Sequence, residues 1–147
     1  MHKLSCRILL LLAIITVSGC ESKPDFPIYS VKGLVKFTYG NPVSDGWIEF
    51  SSQAPETKGR NSNSRIAKDG TFEMETFARG KGAYAGPVEA VISTPVAEFD
   101  PEKGDVKKPE VNIPEKYRDY KTSGLTYQIE KKDNTLNITI ERNGTKP

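Results

Sequence analysis

The chain has 147 residues with 21 Lys+Arg against 19 Asp+Glu, one histidine and two cysteines. A charge balance this even lacks the clustered basic surface with which nucleic-acid binders displace counterions. The histidine is His2 and one cysteine is Cys6, so beyond that point the chain has a single thiol, Cys20, and no imidazole. This excludes a Ser-His-Asp triad, a Cys-His pair, a His-rich zinc site and an internal disulfide from everything that follows.

Met1-His2-Lys3 and Arg7 place positive charge ahead of the ten-residue run from Ile8 to Val17, which leads into Ser18-Gly19-Cys20. A bilayer core of ~30 Å needs about 20 apolar residues, so this run is too short to span and has the length of an export-signal h-region. The small residues before Cys20 resemble the lipobox of bacterial lipoprotein signal peptides. That resemblance implies cleavage after Gly19, with a diacylglyceryl thioether and an N-acyl chain such as palmitate on Cys20. The expected address is extracytoplasmic, lipid-anchored in the cell membrane or outer membrane, and Glu21 rather than Asp after the cysteine permits outer-membrane sorting. Residues 1–19 carry Lys3, Arg7 and no acid, so residues 20–147 hold 19 charges of each sign.

Residues 20–27, interrupted by Pro24 and Pro27, read as a lipidated tether. From there to residue 142 the dominant period is two, the strand period. Tyr29, Val31, Gly33, Val35 and Phe37 share one face, with Leu34 as the exception, and Tyr39-Gly40-Asn41-Pro42 supplies turn chemistry. Trp47-Ile48-Glu49-Phe50 predicts a strand with Ile48 and Phe50 inward. Ser51 to Ser64 reads as a polar loop. Arg65-Ile66-Ala67 and Thr71 to Thr76, joined by Asp69-Gly70, predict a hairpin with Phe72 and Met74 on one face.

Phe77 to Ala85 reads as a glycine-containing loop, followed by a strand with Val88, Ala90 and Ile92 on one side. Glu98 to Lys121 is a charged, proline-broken connection with Ile113, Tyr117 and Tyr120 as pins onto the core. Leu125-Tyr127-Ile129 and Leu136-Ile138-Ile140 form the last two strands, with Lys132-Asp133-Asn134 turning between them. Phe72, Leu136 and Ile138 are therefore expected to be buried. Seven short strands, each with one apolar face and no helical stripe, predict an all-β, antiparallel β-sandwich of Ig-like type. Residues 143–147 read as a tail.

Tyr29-Ser30-Val31-Lys32-Gly33, Asn41-Pro42-Val43, Gly46-Trp47-Ile48-Glu49-Phe50, Asp69-Gly70-Thr71-Phe72 and Gly86-Pro87-Val88-Glu89-Ala90-Val91-Ile92 occur in an order that resembles the carboxypeptidase regulatory-like, or transthyretin-like, domain. Ile113-Pro114-Glu115-Lys116-Tyr117 and Ser123-Gly124-Leu125-Thr126 resemble the C-terminal half of small lipoproteins with this domain in planctomycete-type bacteria. The similarity covers roughly residues 29 to 141, and departs from the family pattern at Asn41 and Val88. It implies a seven-stranded extracytoplasmic scaffold with no catalytic residues, no zinc ligand and no cofactor.

Four features are candidates for function. Arg79 and Lys81, set between Phe77 and Tyr84 with Gly80 and Gly82, form either a backbone nest for an anion or an inter-strand loop with solvated charges. The segment Glu98 to Lys121 is either read by a partner or a crossover packed on the sandwich. Asp100, Glu102 and Asp105 offer oxygen ligands but lack the spacing of a calcium loop, and no metal site is expected. Trp47 with Tyr39, and Tyr84 if it is exposed beside them, makes a sugar-stacking platform or the cover of a sandwich edge. Two function classes follow. One is a structural or protein-interaction lipoprotein bound to the membrane through Cys20, with an envelope protein as partner. The other is a carbohydrate- or small-ligand-binding module. A histidine-free hydrolase is a distant third.

Overall fold

A computed structural model describes residues 26–77, 79–94, 98–101, 104–107 and 112–142. The signal segment, Cys20, the side chains of the Asp100-Glu102-Asp105 set and the tail lie outside the described residues. In chain order the strands are β1 (Ile28–Tyr29), β2 (Val31–Phe37), β3 (Gly46–Ser52), β4 (Asn61–Ile66), β5 (Thr71–Glu73), β6 (Glu75–Thr76), β7 (Gly80–Lys81), β8 (Ala83–Tyr84), β9 (Gly86–Ser93), β10 (Glu98–Asp100), β11 (Asp105–Lys107), β12 (Leu125–Ile129) and β13 (Asn134–Ile140). A 3-10 turn (Glu115–Arg118) and a four-residue helix, α1 (Tyr120–Ser123), precede β12.

The fold is all-β, with two open sheets packed face to face. One runs β12-β9-β3-β4-β6-β7 and the other β13-β2-β5, while β1-β8 and β10-β11 are separate two-stranded ladders. Alternation explains the packing. Val31, Val35 and Phe37 of β2, Phe72 of β5, and Ile138 and Ile140 of β13 face Ile48 and Phe50 of β3, Ile66 of β4, Val88, Ala90 and Ile92 of β9, and Ile129 of β12 in one core. Phe50 joins the two layers, its ring edge-on to Phe72 at 6.4 Å and stacked on Tyr127 at 6.1 Å. Phe72 and Ile138 are buried as expected, whereas Leu136 is only partly so.

Three expectations are corrected. The stretch Ser51 to Ser64 is not a loop: β3 continues to Ser52, a turn occupies residues 54–59, and Asn61–Ile66 forms β4, paired with β3 from Gly46↔Ile66 to Ser51↔Asn61. Two of its three inward residues, Ser62 and Ser64, are polar and only Ile66 is apolar, so no apolar period announced it. The buried hydroxyls are bonded instead. Thr76 Oγ1 donates to the Gly82 carbonyl at 2.8 Å, which leaves Ser62 Oγ to donate to Thr76 at 2.7 Å, and Ser52 and Thr57 share a 2.7 Å hydrogen bond. Burying such groups is tolerated when they are paired.

The second correction concerns Asp69-Gly70. The turn exists, with Gly70 at φ +85° and its amide bonded to the Ala67 carbonyl at 2.9 Å. Its flanking strands nevertheless belong to different sheets, because β5 pairs with β2 and the chain crosses to the six-stranded sheet at Met74. Met74 is fully buried there, its amide donating to Val31 and its carbonyl accepting from Gly82. Third, the sandwich is not wholly antiparallel: β13 runs parallel to β2, from Asn134↔Val31 to Ile140↔Phe37, while β12 pairs antiparallel with β9. The turn at residues 132–134 therefore carries the chain between layers. Asn134 fixes it by donating to the carbonyls of Lys132 (2.6 Å), Glu130 (3.1 Å) and Ser30 (3.3 Å) and accepting from the Glu130 amide (2.9 Å).

The segment before β12 closes one end of the core. Ile113 and Tyr117 are buried, and Tyr117 Oη accepts from the Glu141 amide at 3.0 Å. Asp119 caps α1 through the Lys121 amide at 2.8 Å.

Candidate functional site

Period two in β3 turns Ile48 and Phe50 inward and leaves Trp47 and Glu49 on the outer face of the six-stranded sheet. Register then sets rows across that face. Trp47 lies between Arg65 of β4 and Ser93 of β9, and Glu49 between Asn63 and Val91. Trp47, Glu49, Asn63, Val91 and Ser93, with Arg118 from the 3-10 turn, line a groove of about 330 Å³, beside which Trp47 is 46% exposed.

Glu49 holds the centre of this face. Its Oε1 accepts from Tyr120 Oη at 2.6 Å and from Asn61 Nδ2 at 3.1 Å. At one side Arg65 donates through Nη2 (2.5 Å) and Nε (3.2 Å) to Asp45 Oδ1, and Arg118 Nη2 donates to Thr94 Oγ1 at 3.3 Å. The groove thus presents a flat indole face, an acceptor carboxylate, an amide, a hydroxyl and a guanidinium. Such a set binds by stacking and hydrogen bonding. Among the described residues no group of three or more His, Cys, Asp or Glu is placed to hold a metal ion, and no helix is long and apolar enough to cross a membrane.

Tyr120 ties the closing segment to the sheet electrostatically. Burial, then the hydrogen bond to Glu49 and the charges of Glu49 and Glu89, push its phenol above the ordinary value of 10.0. A raised folded-state value means that this group contributes stability fully present below pH 10.0 and lost as pH climbs towards the folded value. In an ultraviolet absorbance titration Tyr120 is expected to ionise above pH 10.0. Glu49→Gln should bring it part of the way down, since the carboxylate's charge goes while burial stays. An unchanged titration curve in Glu49→Gln would show that the two side chains do not meet.

The chain matches no family model, no curated protein and no solved structure.

The other expected residues fall elsewhere. Tyr39, 55% exposed, sits in the turn after β2, and among the described residues no ring contact links Trp47, Tyr39 and Tyr84. Tyr84 is only 4% exposed, because β8 pairs with β1 at Ile28↔Tyr84 and two guanidinium groups cover its ring. Arg60 lies 5.7 Å and Arg79 5.9 Å from that ring. A three-aromatic platform is thereby corrected to Trp47 alone.

Arg79 Nη2 donates to the Phe26 carbonyl at 2.6 Å, and Arg60 stands 5.3 Å from the Phe26 ring. Lys81 Nζ meets Glu73 Oε2 at 2.6 Å, with Lys32 at 3.4 Å on the other oxygen. The Lys81 hydrogen bond, then the Lys32 charge, hold the Glu73 carboxyl below its ordinary value. Both loop cations are therefore engaged with the protein.

Glu49, Asn63 and Arg118 were not legible as site residues. The Glu49–Tyr120 bond spans 71 positions, and Asn63 sits in a stretch whose polar composition suggests a loop. The one signal available was the outward phase of Glu49, two residues from Trp47.

Proposed function

We propose that the chain is an extracytoplasmic lipoprotein, held in the cell membrane or outer membrane by acyl chains on Cys20, that displays a non-catalytic transthyretin-like sandwich for structural or protein-interaction work. The single observation that carries the interaction reading is the exposed Trp47 over its groove, flanked by Arg118. Trp, Tyr and Arg dominate the binding energy of protein interfaces where they stand over shaped, desolvatable surface. The transthyretin-like reading is supported by the all-β architecture, two open sheets packed on one core. The non-catalytic reading is supported by the residue inventory after Cys20, which has neither histidine nor free thiol.

The anchor is tested by Cys20→Ser. Wild type should incorporate labelled fatty acid and sediment with membranes, whereas the Ser variant should be unlabelled and soluble, because each buried CH₂ contributes ~0.8 kcal/mol and stable residence needs two or more chains. A Ser variant that still sediments, beside a wild type that never labels, overturns the lipoprotein reading. The partner is tested by crosslinking on intact cells, with a specific envelope-protein adduct expected for wild type and lost in Trp47→Ala.

A second reading, a glycan-binding module, is favoured by the polar lining around one indole face, with Glu49, Asn63, Ser93 and Arg118 able to bond hydroxyls. Glycan-array binding abolished by Trp47→Ala, without a protein adduct, selects it over the first.

A further inference from the structure

Phe77 is 90% exposed, the most exposed large hydrophobic side chain among the described residues. It has no polar atom to satisfy in water. It stands at the tip of the β6–β7 hairpin, in a turn closed by the Arg79 amide donating to the Thr76 carbonyl at 3.0 Å. The same turn is fastened to the start of the described chain, since Arg79 bonds the Phe26 carbonyl and its guanidinium covers Tyr84, beside Arg60 lying over both Phe26 and Tyr84. The tip and the start of the described chain are thus joined at one corner of the domain.

Six peptide units separate Phe26 from Cys20. At ~3.3–3.6 Å per residue they reach at most about 22 Å. With acyl chains on Cys20, this corner is held within that distance of the bilayer. An apolar side chain held there finds the headgroup–acyl boundary within reach, where aromatic residues settle. We propose that the Phe77 tip is a membrane-contact surface that inserts at this boundary, adding a second, protein-borne contact to the lipid anchor and fixing which face of the sandwich points away from the membrane. The inference rests on the reading that Cys20 is lipidated.

The test uses the full acylated chain, Phe77→Trp in a Trp47→Phe background, in phosphatidylcholine–phosphatidylglycerol vesicles with and without brominated acyl chains. Phe77 is exposed, so the exchange is compatible with folding, and circular dichroism checks it. Insertion should blue-shift the emission of the Phe77→Trp indole and lose about half of it or more to bromine at the acyl boundary. Labelled, vesicle-bound protein whose indole emission is unquenched overturns the tip contact and leaves the anchor standing. A blue shift without quenching shows a second copy of the chain covering the tip, and also overturns it. Protein that carries no acyl label and does not bind vesicles removes the anchor, and the proposal with it.

Discussion

Phe50→Ala is expected to cost the domain about 3–5 kcal/mol, the range for truncating a buried aromatic where the surroundings relax only in part. Phe50 is 1% exposed and belongs to the larger sheet, yet its partners lie in both layers, with Phe72 edge-on from the smaller sheet and Tyr127 stacked from its own. Removing the ring takes away transfer free energy and both aromatic contacts, and leaves a hole at the layer boundary. Urea unfolding should show a lowered midpoint with an unchanged slope. Folded domains are stable by only ~5–15 kcal/mol, so the variant should be close to its limit at physiological temperature. Phe77→Ala, the same chemical change at an exposed tip, should stay within about 0.5 kcal/mol of wild type. Equal losses at both positions would mean that the layer contact through Phe50 does not exist.

That contrast also marks what period two can and cannot tell. Alternation gave the inward faces of β2, β3, β9, β12 and β13 because apolar and polar residues change places at most steps, Leu34 and Val91 being exceptions. It is silent about partners, since the same inward face serves a parallel or an antiparallel neighbour, and so β13 beside β2 could not be seen. It failed for β4, where Ser62 and Ser64 point inward and are satisfied by hydrogen bonds to the Thr76 hydroxyl and the Glu73 amide rather than by apolar contact. At the site, the outward phase of Trp47 was legible. The burial of Tyr84 was not, because it follows from Arg60 and Arg79 converging from two loops. Likewise Phe26 reads as tether in sequence, and only tertiary contact shows it packed on the domain.

The groove illustrates the same division between local and global information. Trp47, Glu49 and Asn63 are set by two adjacent strands, but Arg118 and Tyr120 arrive on a segment held by Ile113 and Tyr117 in the core. The closing segment therefore does two things at once: it shields one end of the hydrophobic layer and completes the polar wall of the groove. A change that loosens Ile113 would be felt at Trp47 through this shared segment, which links the stability of the fold to the shape of the binding face.

The other large effect is expected at Gly33, and its cause is space rather than backbone freedom. Gly33 sits in the middle strand of the smaller sheet, opposite Leu136 of β13 on one side and Phe72 of β5 on the other. A Cβ built on it would collide with the Leu136 carbonyl oxygen and come within 2.6 and 2.7 Å of two Phe72 ring atoms. The ring is itself held edge-on against Phe50, so it can yield only by disturbing the layer contact, and the carbonyl belongs to a strand paired along its length with β2. Overpacking a core costs typically about 1–3 kcal/mol, occasionally more, and here backbone as well as side chain must move. Gly33→Ala should therefore lose at least ~2 kcal/mol in denaturant unfolding, the upper half of that range. Adding Phe72→Leu should recover only part of the loss, because it relieves the ring and leaves the carbonyl in place. Full recovery would assign the clash to the ring alone, whereas a Gly33→Ala protein as stable as wild type would show that β13, β2 and β5 do not meet in this register.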